Sequence, residues 1–250
     1  MDLNQHNIEI QQNLEFWQRK PKLQDIYAGF YRLIASQLNR SVGGKIVELG
    51  SGIGNVKMMI PEALCTDLFP NPWIDQVENA YRLSFSDNSL SNLILFDVFH
   101  HLEFPGTALA EFSRVLQPSG RIIIFDPYIS LTGMMVYGLF HHEPVAMNKK
   151  INWFAPEDFD PWKSNYYAAQ GNATRIFFSG KYTNYLQGFD LVARKRIPAL
   201  SYIASGGYSK PQLFPDTMFT LMEKTESLLK YFPLFFATRT LIVLSAIPDH

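Results

Sequence analysis

Three closely spaced glycines are the first residues in this sequence whose type and spacing could support binding chemistry. Gly50, Gly52 and Gly54 lie inside the run 47–55. Glycine allows a tight turn and lets a ligand approach the backbone without meeting a Cβ atom. Because the run follows a predicted strand at 45–49 and opens a short helix, we expect it at the carboxyl end of a strand, where open α/β sheets bind ligands. A purely structural turn between strand and helix is the alternative.

Polar residues in a second segment could move protons. Asp97, His100 and His101 follow an apolar run, 93–96, that is predicted to be a buried strand. Imidazole titrates near neutral pH, so His100 or His101 could take the proton of an acceptor hydroxyl as a general base. The alternative is a histidine that only packs against, or caps, the start of a helix.

The elements that must position these residues alternate along the chain. Strands are predicted at 45–49, 63–66, 93–96, 122–125, 189–197 and 240–246, and helices at 8–38, 107–116, 129–140 and 216–230. Pro21 divides the first helical segment in two. Strands and helices in this order predict a doubly wound sheet. The rest of 127–187 is expected to be irregular, because Pro144, Pro156 and Pro161 interrupt it.

Charge and composition exclude several partners. Lys and Arg total 22 against 23 Asp and Glu, with no long basic run, so no nucleic acid partner is expected. The single cysteine, Cys65, favours a reducing compartment, and residues 1–12 lack a secretory pattern, so the cytoplasm is the predicted location. The apolar stretches 127–142 and 231–248 are too short or are broken by Pro233 and Arg239, so no transmembrane segment is predicted. Peripheral membrane contact is left open.

Residues 45–127 resemble the class I, Rossmann-like S-adenosylmethionine-dependent methyltransferases, in particular a small-molecule methyltransferase type 11-like family. The run 48–54 is similar to that family's first motif, acidic-x-Gly-x-Gly-x-Gly, and the segment 95–102 resembles a fourth strand and turn that often carry a His-His pair. The resemblance implies S-adenosylmethionine as the cofactor. It also implies an α/β fold, a three-layer, doubly wound, mostly parallel seven-stranded sheet, with helical insertions after strand 5 and between the last two strands.

The resemblance further implies roles for individual residues. Glu48 would orient the methionine end of the cofactor, and Asp67 would accept hydrogen bonds from the two ribose hydroxyls through its two oxygens. Asn79 stands where the family usually has an acidic residue, and its amide oxygen would accept from the adenine amino group. Asp97 would bond the cofactor's amino group or face the acceptor. A surface turn before Pro70 is the alternative for Asp67.

The predicted site residues fall into two sets. Those predicted to bind the cofactor are Glu48, Gly50, Ser51, Gly52, Gly54, Asp67, Leu68, Asn79, Ala80, Phe96 and Asp97. The predicted general base is His100 or His101. No metal site is predicted, because His141 and His142, beside Glu143, would point apart as neighbours on a helix.

The implied activity is in-line transfer of a methyl group to a small acceptor, which depends on alignment more than on covalent help. An aromatic content of 14% favours a hydrophobic or lipid-linked acceptor. Similarity to bacterial methyltransferases of polysaccharide or secondary-metabolite pathways favours O-methylation, with N- and C-methylation left open. One domain, 1–250, is predicted, with helices at 1–40, a cofactor-binding core at 41–127, and insertions at 128–188 and 199–238 that form a substrate cap. We expect a monomer or homodimer.

Two other functions fit part of the pattern. An NAD(P)-dependent Rossmann oxidoreductase also has glycines after its first strand, but its fingerprint needs a third glycine where Asn55 stands, and it does not account for the His-His pair. A non-catalytic S-adenosylmethionine-binding module would keep the glycines and Asp67 without performing transfer.

Overall fold

The computed structural model describes residues 3–140, 143–163 and 165–248. Within these ranges seven strands form one sheet: β1 (Lys45–Leu49), β2 (Leu64–Asp67), β3 (Gln76–Val77), β4 (Leu90–Phe96), β5 (Leu116–Pro127), β6 (Phe189–Pro198) and β7 (Ala237–Ala246). Their spatial order is β3-β2-β1-β4-β5-β7-β6. Neighbours from β3 to β5 run parallel, whereas β7 lies antiparallel between β5 and β6. The predicted mostly parallel, seven-stranded sheet is therefore confirmed.

Helices cover both faces of this sheet. The described residues form eight α-helices: α1 (Leu3–Arg19), α2 (Pro21–Ala35), α3 (Pro105–Val115), α4 (Leu131–Phe140), α5 (Asn172–Phe178), α6 (Leu200–Ala204), α7 (Phe219–Leu229) and α8 (Pro233–Phe236). Side chains of β4 alternate between two cores: Leu93 and Leu95 pack with α3, whereas Ile94 and Phe96 pack with α2. The central strands are thus buried on both sides, which explains their almost continuous apolar sequences.

The strand order reverses between β1 and β4, and this point determines where a ligand can bind. The chain leaves β1 through the glycine run into a short 3-10 helix, Asn55–Met58, and leaves β4 at Asp97. Open α/β sheets bind ligands in the crevice beyond the carboxyl ends of the strands at such a reversal. The two groups of residues singled out from the sequence therefore meet at one edge of the sheet.

Most predicted elements lie within a few residues of their expected bounds. β1 matches 45–49, and Pro21 occupies the first turn of α2. The start of β5 differs from expectation: the strand begins at Leu116, which pairs with Leu90 of β4, and not at the predicted 122, whereas α3 ends at Val115, one residue before its predicted end. The segment 127–187 is also more regular than predicted, since α5 forms within it.

None of the helices in the described part of the chain combines the length and the apolar character that crossing a bilayer requires.

Candidate cofactor and acceptor site

The glycine loop, residues 50–54, adopts a backbone that requires its glycines. Gly50, Gly52 and Gly54 have φ angles of 67°, 54° and 72°, in the left-handed region that disfavours other residues. A Cβ atom on Gly50 would collide with the side chain of Val98, whereas one on Gly52 would meet only Ile10 of α1, at 3.9 Å. The loop thus presents bare backbone at the carboxyl end of β1.

Glu48 lies directly beneath this loop and is completely buried. Tyr31 of α2 donates a hydrogen bond of 2.9 Å to its Oε1 atom. The other oxygen, Oε2, is buried and has no hydrogen-bond partner among the described residues. Loss of solvation raises the pKa of Glu48 to about 8. A positively charged ligand amino group bound here would displace the carboxyl proton and satisfy Oε2.

Asp67 ends β2 and faces the glycine loop. Its Oδ2 atom accepts the Gly52 N–H at 3.0 Å, and its Oδ1 atom accepts the N–H of Leu68 at 2.7 Å. Burial raises the pKa of Asp67, and the nearby His6 of α1 opposes that shift. Each carboxylate oxygen can accept a second bond. The structure thus places Asp67 beside the loop, as the sequence predicts.

Asn79 and Ala80 follow β3. The Asn79 amide donates to the carbonyl of Pro161 at 2.9 Å, and its oxygen accepts the N–H of Tyr81 at 3.0 Å. Ala80 packs against the core on the α3 face of the sheet. Asn79 thus holds the segment around Pro161 against this edge, so the amide already has protein partners at both ends.

Asp97 stands at the carboxyl end of β4 in a strained conformation, with a φ of 56°. Its Oδ2 atom lies 2.7 Å from a guanidinium nitrogen of Arg239 on β7, and its buried Oδ1 has no hydrogen-bond partner in the described part of the chain. The Arg239 side chain is almost fully buried, with its charge 5.0 to 5.9 Å from four aromatic ring centres, those of Phe30, Phe96, Phe125 and Tyr202.

Next to Asp97, four side chains form what we call the histidine–carboxylate cluster: His100, His101, Asp126 and Glu143. His100 donates from Nδ1 to Asp126 at 2.9 Å, and its Nε2 lies 3.3 Å from Glu143 Oε2. His101 donates from Nδ1 to the carbonyl of Tyr167 at 2.9 Å, and its Nε2 lies 3.6 Å from Glu143 Oε1. Both imidazoles therefore turn Nε2 toward one carboxylate.

The two histidines differ electrostatically. Burial lowers the pKa of His100, but the carboxylates of Asp126 and Glu143 outweigh it and raise the pKa to about 10. Burial and the neighbouring His100 lower the pKa of His101. The His101 side chain is 31% exposed, against 3% for His100. Of the predicted pair, only His101 can meet an acceptor directly without a large rearrangement.

Four residues that complete this site are outside the predicted set: Tyr31, Asp126, Glu143 and Arg239. A buried ion pair at Arg239 could have been predicted from the sequence, because a single arginine inside an apolar strand must find a buried partner. The contact of Glu143 with His100 bridges about forty positions of sequence and leaves no local signal. His141 and His142 lie outside the described residues.

Comparison with known proteins agrees with this geometry. Residues 48–124, which include the glycine loop, Asp67, Asp97 and both histidines, match the family model for the methyltransferase domain. A SAM dependent methyltransferase from Archaeoglobus fulgidus is 13% identical, over 89% of this chain and 94% of that chain, with a TM-score of 0.52. Geranyl diphosphate C-methyltransferase from Streptomyces coelicolor A3(2), in complex with Mg2+, geranyl diphosphate and S-adenosyl-L-homocysteine, is 10% identical, over 88% and 78% of the two chains, with a TM-score of 0.53. No curated protein sequence matches the chain.

The sheet with helices on both faces and the glycine loop at its carboxyl edge define a class I, Rossmann-like fold. The methyltransferase domain identifies the protein as an S-adenosylmethionine-dependent methyltransferase. The chain carries the methyltransferase domain over residues 48–124. The residues present fit that cofactor, because the buried oxygens of Glu48 and Asp97 need donors and the loop leaves bare backbone beside Asp67. The nicotinamide-dependent alternative is set aside by the family match.

Proposed function

We propose that this methyltransferase methylates a hydroxyl oxygen of a small, partly hydrophobic or lipid-linked acceptor. The observation that carries this proposal is the histidine–carboxylate cluster at the carboxyl edge of β4 and β5, beside Asp97. A hydroxyl must lose its proton as its oxygen is alkylated, and a cluster of imidazoles and carboxylates supplies groups for that purpose.

The proposed cofactor site spans the carboxyl ends of β1, β2 and β4. When bound, the cofactor supplies a methyl group on a positively charged sulfur, ready for in-line displacement. Oε2 of Glu48 and Oδ1 of Asp97 support a position for its amino group, because each is a buried acceptor. Asp67 is proposed for the ribose hydroxyls and Asn79 for the adenine. The full proposed set is Glu48, Gly50, Ser51, Gly52, Gly54, Asp67, Leu68, Asn79, Ala80, Phe96 and Asp97.

In the proposed transfer, the cofactor held by Glu48, Asp67 and Asp97 would supply the methyl group to the acceptor oxygen. The hydroxyl proton leaves toward the histidine–carboxylate cluster. Direct acceptance by an imidazole is the simplest form of this step, and exposure favours His101 over His100 for it. Asp97 and Arg239 compensate each other's charge beside the reacting groups.

Exposed apolar side chains support an acceptor that is carried in or on a membrane. Helix α4 lies beside α8, where Ser130 donates to the Phe235 carbonyl. Together these two helices expose Leu131, Met135, Leu139, Leu234 and Phe235, which we call the α4–α8 patch. Both helices belong to the insertions at 128–188 and 199–238, which we propose as the substrate cap. Apolar patches of this kind mark contact sites for membranes or partners.

The cellular setting is part of the proposal. A cytoplasmic location is supported by Cys65, a free and buried thiol. We also propose a single domain that is active as a monomer or homodimer, which light scattering of the purified protein will decide.

The experiment that tests the proposed function follows a labelled methyl group. The protein is incubated with methyl-labelled S-adenosylmethionine and a panel of water-soluble and lipid-linked alcohols, with matched amines as controls. We expect label on the oxygen of an apolar alcohol, and strongly reduced transfer by His101→Ala. Label on nitrogen or carbon alone would contradict O-methylation. Cofactor binding without transfer to any acceptor would favour the non-catalytic binding module.

A further inference from the structure

We infer that His100, His101 and Glu143 bind a divalent transition-metal ion beside the acceptor. Their ligand atoms, two imidazole nitrogens and one carboxylate oxygen, all lie within 4.8 Å of one another. The inference deepens the proposed function, since the ion would activate the acceptor hydroxyl, but binding of the ion itself does not depend on that function.

The hydrogen bonds at Nδ1 prepare both histidines as ligands. A neutral imidazole carries one ring proton, and each ring uses that proton at Nδ1, for Asp126 in one case and for the Tyr167 carbonyl in the other. The lone pair then lies at Nε2. Metal-binding histidines typically show this arrangement, with the second nitrogen bonded to a carboxylate or a backbone carbonyl.

The contacts at Nε2 need a positive charge between the partners. Nε2 of His101 lies 3.6 Å from one oxygen of Glu143, and Nε2 of His100 lies 3.3 Å from the other. Nitrogen and carboxylate lone pairs repel each other unless a proton or a cation lies between them; in the metal-free protein a proton on His100 Nε2 meets this requirement, and a bound ion would replace that proton. Two ligands that are each about 2.1 Å from one ion are separated by roughly 3.0 to 3.4 Å. The observed separations are close to this range.

The carboxylate is held in place as well as the histidines. Tyr166 donates its hydroxyl to Glu143 Oε1, and the amide of Gln170 donates to Oε2 at 2.5 Å. Buried oxygens of Asp126 and Gln170 have no hydrogen-bond partner within the described ranges. These atoms could accept hydrogen bonds from water or from an acceptor hydroxyl held on the ion. The three ligands thus have the supporting hydrogen bonds expected of a built site.

The ligand chemistry identifies the class of ion. Two imidazoles and one carboxylate suit zinc or a divalent first-row ion such as manganese, iron, cobalt or nickel, and leave positions open for exogenous oxygen. An alcohol bound there would lose its proton to solvent more readily, because the ion lowers the pKa of an oxygen that it binds. A second group, Asp97, His100 and Asp126, is a weaker candidate because Asp97 already pairs with Arg239.

The test uses tag-free full-length protein that has been dialysed against chelator and titrated with cobalt(II) alone. Visible absorption reports the coordination, and equilibrium dialysis with elemental analysis counts the ions. We expect one ion per chain. Glu143→Gln and His101→Ala should each weaken binding more than tenfold, and Asp126→Asn by about 10- to 100-fold. The control Glu62→Gln removes a surface carboxylate paired with Arg40 and should change nothing.

Circular dichroism shows whether each variant is folded, and binding of S-adenosylhomocysteine, measured on the same samples, separates two kinds of failure. Binding of S-adenosylhomocysteine without cobalt binding would overturn the metal site and leave His101 as a direct base. Cobalt binding that survives both Glu143→Gln and His101→Ala would also overturn it. Cobalt binding as expected, without S-adenosylhomocysteine binding, would support the metal site while removing the proposed function.

Discussion

Two carboxylate oxygens at the sheet edge, Oε2 of Glu48 and Oδ1 of Asp97, are buried without hydrogen-bond partners in the described part of the structure. Leaving a buried polar group unpaired costs about 1 to 3 kcal/mol, and more when the group is charged. Proteins tolerate such a cost at sites where a ligand supplies the missing donor. These two atoms therefore support a cofactor amino group between β1 and β4.

Glu48 should make the stability of the cofactor-free protein depend on pH. Its pKa is raised by burial from 4.5 to about 8, so the folded protein holds a proton there that the unfolded chain releases. The contribution of this proton to the free energy of unfolding is complete below pH 4.5 and is lost as pH rises through 8. We expect the free energy of unfolding to fall between pH 5 and 8, on the order of a few kcal/mol. Urea denaturation of wild type and Glu48→Gln measures this, and an equal slope in the two proteins would refute it.

Asp67→Asn should weaken binding of S-adenosylhomocysteine by about 1 to 3 kcal/mol. The substitution replaces a charged carboxylate, which has two equivalent acceptor oxygens, by a neutral amide that has one. Titration calorimetry gives the dissociation constants. Asp87→Asn, which alters an exposed carboxylate beside Arg114, is the matched control and should bind like wild type. A dissociation constant that Asp67→Asn leaves unchanged, in a folded protein, would remove Asp67 from the proposed ribose role.

Among the elements, strand β7 contributes Arg239, whose guanidinium is bonded to Asp97. Removing one member of a buried pair leaves the other charge uncompensated. Arg239→Met should therefore destabilise the fold by about 3 kcal/mol. Adding Asp97→Asn to it should recover part of that loss. Chemical denaturation of the single and double variants checks this, and a double variant less stable than Arg239→Met would contradict the account.

The sequence predicted those elements whose pattern is local. Buried parallel strands such as β1 and β4 are continuous apolar runs, and Pro21 is compatible only with the first turn of α2. The start of β5 was predicted too late, at 122, because the pairing of Leu116 with Leu90 is a tertiary contact that no local pattern shows. Short elements such as β3 have too few residues to show periodicity.

The site residues, like the strands and helices, were predictable from the sequence only where the pattern is local. The glycine loop and Asp67 follow strand ends, so strand prediction placed them, and the structure brings them within hydrogen-bonding distance. The partners of His100 could not be foreseen, because Asp126 and Glu143 come from separate segments that meet only after the sheet and its insertions fold. No periodic pattern encodes such a contact.

At the scale of the whole molecule, the α4–α8 patch should bring the protein to lipid surfaces. Leu139 is 72% and Leu234 63% exposed, and burying such side chains in a bilayer interface is favourable. We expect cosedimentation with phosphatidylcholine vesicles, lost in a Met135→Glu, Phe235→Glu double variant. Leu213→Glu, at an exposed leucine outside these two helices, is the control. Equal cosedimentation of all three proteins would exclude the patch as the lipid contact.

Four parts of the candidate site lie at the carboxyl edge of one sheet: the glycine loop after β1, Asp67 at the end of β2, Asp97 after β4 and Asp126 near the end of β5. Ile10 of α1 lies beside the glycine loop, because a Cβ atom on Gly52 would be 3.9 Å from its side chain. In the proposed arrangement the cofactor would lie over β1 and β2 and the acceptor over β4 and β5.

Titration calorimetry with S-adenosylhomocysteine, beside NAD and NADP under the same conditions, tests the central claim most directly. One molecule of S-adenosylhomocysteine should bind per chain, and neither nicotinamide nucleotide should give a binding signal. Absence of S-adenosylhomocysteine binding by folded protein at saturating concentration would contradict it.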